Sequence, residues 1–167
     1  VGHIYQLVNA TTLVPNPSYW VAALWTRLVG NVALKFTTEL PIPPSLRLSV
    51  HCASLARDST QEETEEIRPQ AMKTRSGLVV AINFATNETF RLSLGHENET
   101  LSIWVLTGNL YGHSVLLNGQ PLSVTKAGGR LPRLAPRRIQ GSALLPAASI
   151  AFVQGAWQNL VACSGAE

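Results

Sequence analysis

The 167-residue sequence contains few charged side chains and none of the short motifs that commonly mark catalytic centres. Charged residues make up 14% of the chain, whereas apolar residues make up 46%. There is no HExxH, CxxC, glycine-rich phosphate-binding or nucleophile-elbow motif. These absences argue against zinc peptidases, CxxC redox proteins, nucleotide-binding proteins and α/β-hydrolases. The composition is typical of a globular chain with one sizeable apolar core.

Side chains suited to acid, base or metal chemistry are also scarce. Asp58 is the only aspartate and lies in a polar segment, so a Ser-His-Asp triad has little support. A glycosidase needs two carboxylates held about 5–10 Å apart on rigid elements, and no pair of glutamates here is placed in that way. The four histidines, which show no metal-ligand spacing, are His3, His51, His96 and His113. We therefore expect this chain alone to catalyse no reaction and to hold neither a metal nor a cofactor.

Neither nucleic acid nor a membrane is indicated as a partner. The net charge is only +3, and the basic residues are not interleaved with the aromatic side chains on which single-stranded nucleic acid stacks. No apolar run reaches the roughly 20 residues of a membrane span.

One basic cluster occurs within the segment 126–140, which we predict to be a connection. It supports two interpretations. Guanidinium groups bind carboxylates and sulfates, which would suit an acidic polysaccharide; alternatively, the segment is a solvated loop. The cluster consists of Lys126, Arg130, Arg133, Arg137 and Arg138.

The compartment is suggested by two features. Cys52 and Cys163 are the only cysteines, and three N-glycosylation sequons begin at Asn9, Asn87 and Asn98. Together they favour a protein that is secreted or is delivered to a lysosome or vacuole through the secretory pathway. The two cysteines form either a disulfide or two buried free thiols, and mass measurement with and without reductant distinguishes the two states.

The strongest helix signal lies in residues 5–30. Asn16 suits an N-cap that accepts hydrogen bonds from the first turn, and Pro17 suits the first helical position. Apolar residues then recur at helical spacing, and Gly30 is expected to end the helix. The residues of this stripe are Val21, Leu24, Trp25 and Leu28.

The remaining segments predict short strands and turns. Residues 45–54 alternate between apolar and polar, residues 77–85 are apolar on both faces, and Asn118-Gly119 is a two-residue turn signal for a hairpin. Residues 55–76 are acidic and predict a long surface loop. The other predicted strands are 31–40, 90–94, 101–105, 149–153 and 160–163. Several short strands with frequent turns indicate a β-sandwich.

The order of several segments resembles the C-terminal part of heparanase and its plant-type relatives in glycoside hydrolase family 79. The matching segments are YQLVN, VPNPSYW, LWTRLVG, LRLSVHCAS, VLLNGQPL, SIAFV and LVAC. TTLVPNPSYW is closer to the plant-type β-glucuronidases than to animal heparanase. The similarity covers nearly the whole chain, with a break at the acidic loop and a weak stretch around residues 126–135.

This resemblance implies a fold and a function for a larger protein. The fold would be mainly β, with a sandwich at 31–167 preceded by the last loop and helix of a (β/α)8 barrel at 1–30. The activity would be that of a retaining β-glucuronidase acting on glucuronic-acid-containing polysaccharide or proteoglycan, with both catalytic glutamates upstream. The N-terminal part of the enzyme, either as one polypeptide or as a separate processed chain, would be a partner and would supply a strand to the sandwich.

The resemblance also assigns particular residues. Tyr5 matches the tyrosine that hydrogen-bonds the glucuronate carboxylate, although Gly2, His3 and Ile4 precede it where the family has a Gly-Asn pair. Cys52 and Cys163 match the disulfide of the sandwich. The competing hypothesis is a secreted, non-catalytic sandwich that binds acidic glycans through its basic loop.

Overall fold

A computed structural model describes residues 6–54, 76–94, 97–109, 112–124, 131–157 and 163. In this part of the chain, helix α1 (Pro17–Leu28) precedes ten strands. The strands are β1 (Val29–Leu34), β2 (Leu46–Ala53), β3 (Gly77–Asn83), β4 (Phe90–Ser93), β5 (Thr100–Gly108), β6 (Val115–Leu117), β7 (Gln120–Pro121), β8 (Arg137–Gln140), β9 (Ser142–Leu145) and β10 (Ser149–Gly155). The fold is mainly β, as predicted, and a β-sandwich fits it.

Eight strands form one antiparallel sheet in the order β1-β2-β3-β10-β5-β6-β7, with β8 also paired to β5. The last of the described strands, β10, lies in the middle, because it pairs with β3 on one side and with β5 on the other. Strands β4 and β9 form a separate two-stranded sheet. The centre of the large sheet therefore depends on pairings between distant parts of the chain.

The two faces of the large sheet carry two separate apolar cores. On one face, side chains of β3, β5 and β10 pack against α1, as Leu78, Trp104 and Phe152 do. On the other face, the alternate residues Val79, Ile103 and their neighbours pack against the two-stranded sheet. The alternation follows from the two-residue period of a strand, and it confirms that β3 is covered on both sides.

Helix α1 begins at Pro17 as predicted, but its buried face differs from the predicted stripe. Trp20, Leu24 and Leu28 are buried, whereas Trp25 is 43% exposed and Val21 is only partly buried. The helix ends at Leu28, before Gly30, and the chain passes directly into β1. The expectation that Gly30 ends the helix is therefore wrong.

Gly30 is instead required where β1 passes close to β2. A Cβ atom built at Gly30 would lie 2.6 Å from the backbone oxygen of Cys52, a distance that real Cβ atoms do not adopt. The hydrogen bond from Ser54 N to Leu28 O joins the end of the helix to the end of β2 at the same place.

Two predicted segments have different boundaries in the structure. The strand predicted at 31–40 is β1, which spans Val29–Leu34 and is followed by irregular chain. The prediction that residues 126–140 form a connection is wrong at its C-terminal end, because Arg137 and Arg138 lie on β8. Strand β9 was not predicted, although Ala143 and Leu145 alternate and are buried.

The predicted hairpin is confirmed. Asn118 and Gly119 connect β6 to β7 with positive φ angles of 50° and 83°. The Asn118 side chain also bonds to β5, because its Oδ1 accepts from Val105 N at 2.9 Å and its Nδ2 donates to Ile103 O at 3.2 Å. The hairpin is thus fixed to the sheet by a side chain as well as by strand pairing.

A buried amide joins two connections at one end of the sheet. Asn83, at the end of β3, is 2% exposed. Its Nδ2 donates to the backbone oxygens of Glu88, Leu145 and Pro146 at 2.8, 3.2 and 2.8 Å, and its Oδ1 accepts from Ala85 N at 2.9 Å. This one side chain bonds to four backbone groups at this end of the sheet.

Cys52 and Cys163 form a disulfide, with their Cα atoms 5.4 Å apart. Cys52 lies on β2 opposite Gly77 and is 5% exposed. The bridge ties a residue near the C-terminus to the point where α1, β1 and β2 meet. Residues 55–75, most of the predicted acidic loop, and residues 160–162 of the predicted closing strand lie outside the described residues.

His51 on β2 gives the helix–sheet contact a pH dependence. Its ring packs edge-on against Trp25 with the centroids 5.6 Å apart, and its Nε2 is 3.1 Å from Ser49 Oγ. Burial lowers the pKa of the His51 imidazole below its usual 6.5, since the charged form is the more costly one to desolvate.

The folded state therefore favours neutral His51, and its contribution to stability is complete above pH 6.5 and is lost as the pH falls through the lowered folded pKa. We expect the melting temperature to drop more steeply between pH 7.5 and pH 5 in the wild type than in His51→Gln. His113→Gln is the matched control, because His113 is exposed and its loss leaves the helix–sheet contact intact. Identical slopes in all three proteins would contradict the expectation.

Candidate functional site

The described chain before α1 is a tight hairpin-like loop at residues 6–16. Val8 and Pro15 form an isolated antiparallel bridge. Asn9 N donates to Val14 O at 2.9 Å, and Leu13 N donates to Asn9 O at 2.8 Å. The loop therefore has a defined backbone although it contains no regular strand.

The side chain of Asn9 closes the tip of this loop. Its Oδ1 accepts from Thr11 N at 2.9 Å and from Thr12 N at 3.0 Å, which is an Asx-type turn. Leu13 follows with a φ of 56°, a left-handed conformation that is uncommon for a leucine. The oxygen of the Asn9 amide thus accepts both hydrogen bonds of the turn, and the amide nitrogen takes part in neither.

The side chain of Asn16 closes the base of the loop in the opposite way. Its Nδ2 donates to Gln6 O at 2.7 Å, and its backbone N donates to Leu7 O at 2.9 Å. The predicted side-chain cap is absent: the first turn is bonded through the Asn16 backbone oxygen, which accepts from Tyr19 N at 3.0 Å. The prediction for Asn16 was wrong, because its side chain points away from the helix and secures the loop.

The outer surface of the loop is apolar. Leu13 is 75% exposed and Val14 is 54% exposed, and Leu7 and Val8 are also exposed. Tyr5, the residue to which the family resemblance assigns carboxylate binding, lies outside the described residues. Its described neighbour is Gln6, whose backbone oxygen Asn16 holds.

Several curated proteins are similar to the chain along most of its length. Heparanase-like protein 2 from Arabidopsis thaliana is 30% identical, over 98% of this chain and 34% of that protein. Baicalin-beta-D-glucuronidase from Scutellaria baicalensis is 27% identical, over 91% of this chain and 26% of that protein. Hyaluronoglucuronidase from Hirudo nipponia is 27% identical, over 95% of this chain and 31% of that protein.

This chain resembles the heparanase-like proteins. The resemblance inferred from the ordered segments is thereby confirmed. No family model matches the sequence. The chain spans about a third of the length of the curated relatives it matches.

The described arginines of the predicted basic cluster do not all lie on one surface of this heparanase-like chain. Arg133, Arg137 and Arg138 are exposed, and the last two are neighbours on β8. Arg137 pairs with Ile103 and Arg138 with Ser102, so the two arginines alternate between the faces of the sheet. Lys126 and Arg130 lie outside the described residues. Glycan binding by the five basic residues stays a prediction.

The three sequons of the heparanase-like chain have different surroundings. Asn87, between β3 and β4, and Asn98, before β5, are exposed. Asn9 is partly buried and holds the loop turn with its side-chain oxygen. Glycosylation at the three asparagines stays a prediction.

In the described ranges, no group of three His, Cys, Asp or Glu residues is arranged to hold a metal ion. Over the same residues, no helix has both the length and the apolar character needed to cross a bilayer.

The sequence analysis missed two features of loop 6–16, which are the hydrogen bonds of the Asn9 and Asn16 side-chain amides to the loop backbone. The only local signal was the presence of two asparagines flanking TTLVP, which composition alone does not distinguish from ordinary loop residues.

Proposed function

We propose that this chain is the C-terminal portion of a retaining glycoside hydrolase of family 79. The complete enzyme hydrolyses β-glucuronide linkages in glucuronic-acid-containing polysaccharide or proteoglycan. The observation that carries the proposal is the similarity, over 91–98% of this chain, to proteins named heparanase-like, β-D-glucuronidase and hyaluronoglucuronidase.

In this proposal the catalytic acid/base and nucleophile are glutamates upstream of the chain. A retaining enzyme holds its two carboxyl groups about 5–5.5 Å apart; one attacks the anomeric carbon while the other protonates the leaving oxygen. The chain itself contributes substrate recognition and support for the barrel.

Residues 1–30 are then the last loop and helix of a (β/α)8 barrel, and residues 31–167 are the sandwich, with an acidic insertion at 55–76. The structure supports this division in one respect. Loop 6–16 leads directly into the N-terminus of α1, and in such barrels the loops that precede helices lie at the face that carries the active site.

We assign substrate recognition to Tyr5, the residue that precedes this loop in the sequence. Its phenol is a neutral hydrogen-bond donor at any pH well below about 10, so it binds a glucuronate carboxylate without first losing a proton. A glucoside has a hydroxymethyl group in place of that carboxylate and gains less from the same donor, since hydrogen bonds to charged acceptors are stronger.

The N-terminal part of the enzyme is the proposed partner of this chain, as the same polypeptide or as a processed chain. The exposed apolar residues of the loop and the exposed Trp25 of α1 support a partner that covers these side chains. The Cys52–Cys163 disulfide supports passage through the secretory pathway, to the cell exterior or to a lysosome or vacuole.

The test is hydrolysis by the complete enzyme of an aryl β-D-glucuronide and of a polysaccharide that contains glucuronic acid. We expect cleavage of at least one of them, with retention of anomeric configuration, and loss of cleavage when either upstream glutamate is replaced by glutamine. An enzyme that cleaves neither substrate would overturn the proposal.

We expect Tyr5→Phe in the complete enzyme to reduce transition-state stabilisation for a glucuronide by about 1.5–3 kcal/mol, the scale of one hydrogen bond to a charged group. Cleavage of the corresponding glucoside should change little. The measurement is kcat/KM for both substrates. A variant that prefers glucuronide over glucoside as strongly as the wild type does would remove Tyr5 from the site.

A further inference from the structure

Helix α1 is apolar around most of its circumference. Arg27 is the only charged residue between Pro17 and Leu28. One side of the helix, with Trp20, Leu24 and Leu28, is buried against the large sheet. A helix that is apolar all round is normally covered on more than one side, so the remaining apolar side chains of α1 indicate a second contact.

A continuous apolar groove lies beside this helix. It consists of two cavities, of about 260 and 580 Å³, that share Pro17, Val21 and Ile150 in their walls. The smaller cavity lies between the first turn of α1 and the ends of β3, β5 and β10, and the larger one follows α1 past Trp25. We call their joint surface the α1 groove, and its main lining residues are Val21, Ala22, Trp25, Ile82, Phe84 and Ile150.

The chemistry of the α1 groove favours an apolar protein surface as its occupant. Trp25 is 43% exposed and Phe84 is 58% exposed, and Ile82 and Ile150 are paired neighbours on β3 and β10. None of the described residues that line the two cavities is charged. An acidic glycan would require cationic donors, whereas exposed aromatic side chains on an apolar surface are typical of contacts between proteins.

The smaller cavity has the size of a large apolar side chain. A cavity of about 150 Å³ accommodates a benzene ring, so the 260 Å³ beside Val21 is sufficient for an aromatic or a large aliphatic group. An anchor of this kind, buried in a pocket of its partner, supplies much of the stability of a protein contact.

The position of the groove indicates where the occupant comes from. Loop 6–16 joins α1 at Pro17, which lines both cavities. The relatives extend well beyond the region that this chain matches, since it covers 26–34% of their length. In the proposed function, the polypeptide before this loop belongs to the N-terminal part of the enzyme. A tethered segment meets its site at an effective concentration on the order of mM, an advantage that a second copy of this chain does not have.

We infer that the N-terminal part of the enzyme docks in the α1 groove and inserts an apolar side chain into the cavity beside Val21. The inference rests on the proposed function and defines the contact surface of its partner. Helix α1 then lies between two apolar cores, one formed with its own sheet and one with the N-terminal part. The sheet residues Ile82 and Phe84 contact that part directly.

Hydroxyl-radical labelling of the complete enzyme, measured residue by residue by mass spectrometry, tests whether the groove is covered. We expect Trp25 and Phe84 to be oxidised as slowly as Trp104 and Phe152, which are residues of the same types that this chain buries by itself. The urea-unfolded enzyme gives the rate of each residue when exposed. Oxidation of either Trp25 or Phe84 near its unfolded rate would overturn the inference.

Photo-crosslinking identifies the occupant. Thr26 is exposed at the edge of the groove, and Thr26→p-benzoylphenylalanine in the complete enzyme should form cross-links to peptides upstream of Val1. The matched control is Leu144→p-benzoylphenylalanine, because Leu144 is exposed on β9, in the two-stranded sheet that covers the opposite face of the large sheet. It should give no such product. Position 26 contradicts the inference if it gives no cross-link to upstream peptides, including the case in which it reacts only with a second copy of this chain.

Filling the smaller cavity from its own walls tests the inserted side chain. Val21→Phe enlarges a residue on α1, and Ser114→Phe enlarges one just before β6. If a side chain of the N-terminal part occupies the cavity, both variants are overpacked and the complete enzyme should melt at least about 2 °C lower. A vacant apolar cavity would instead be filled, and a melting temperature equal to or above that of the wild type in either variant would rule out the insertion.

These outcomes are separate from those that decide the proposed function. An enzyme that hydrolyses glucuronides, but in which Trp25 is oxidised freely, would overturn the inference alone. An enzyme that cleaves neither test substrate, but shows protection of Trp25 and Phe84 and cross-links to upstream peptides, would overturn the proposed activity and retain the contact.

Discussion

Replacing both Cys52 and Cys163 by alanine is expected to lower the free energy of unfolding by about 4–5 kcal/mol. The bridge closes a loop with a sequence separation of 111, and in the chain-entropy model a cross-link over about 100 residues restricts the unfolded chain by that amount. For a domain of this size the loss corresponds to a fall in melting temperature of about 10–20 °C. The measurement is thermal or urea unfolding of the protein in the oxidised state.

Two comparisons separate the cross-link from the side chains. Cys163→Ala alone removes the bridge and leaves a buried thiol at Cys52, which packs as a small apolar group; we expect it to lose nearly as much stability as the double variant. Reduction of the wild type should produce the same loss. A double variant within about 1 kcal/mol of the wild type would show that the bridge does not stabilise the fold.

Asn83→Ala is expected to lower the free energy of unfolding by about 3–4 kcal/mol. The change leaves three backbone oxygens and one backbone N–H without the partner that the buried amide supplies. A buried group that loses its hydrogen bond costs about 1–3 kcal/mol, and some of these groups lie close enough to the surface to recover part of that from water. Urea unfolding of the variant and the wild type measures the difference.

Asn83→Asp makes the expectation sharper. The carboxylate keeps the bond from Ala85 N but directs an acceptor at the oxygens of Glu88, Leu145 and Pro146. We expect it to be at least as damaging as alanine at pH 7, and less damaging at a pH low enough to protonate the carboxyl, which then donates one bond. Asn87→Ala, in the same connection but exposed, is the control and should change stability by less than about 0.5 kcal/mol in unglycosylated protein. Equal losses at positions 83 and 87 would contradict the assignment.

Much of the fold follows from local patterns. The alternation in β2, the two-sided apolar character of β3 and the Asn118-Gly119 turn each predict the element that the structure contains. These elements are predictable because their burial pattern and turn chemistry lie within a few neighbouring residues.

The errors occurred where distant residues decide the outcome. Trp25 fits the apolar stripe of α1 as well as Trp20 does, and only packing on the sheet buries Trp20. Arg137 and Arg138 suggest a solvated loop, yet β5 supplies backbone partners that make them a strand. Asn16 is a residue type that commonly caps helices, but its side-chain nitrogen donates to the carbonyl oxygen of Gln6, ten residues earlier.

The site was predicted only in part for the same reason. The resemblance to the heparanase-like proteins directed attention to the chain before α1. The relatives confirm the resemblance, and the role of Tyr5 stays a prediction. The roles of the Asn9 and Asn16 amides required coordinates, since a sequence does not show which atom of an amide is used or which backbone group it meets.

The buried face of α1 has a consequence for where chains of this kind can be divided or recombined. Trp20, Leu24 and Leu28 complete the apolar core formed by Leu78, Val80, Trp104, Leu106 and Phe152. A junction at residue 30 would lie between the proposed barrel and the proposed sandwich. It would separate α1 from the face of the sheet that the helix covers. In a chimera between relatives, α1 should therefore come from the same parent as the sandwich. The exchanged segment should begin before Pro17.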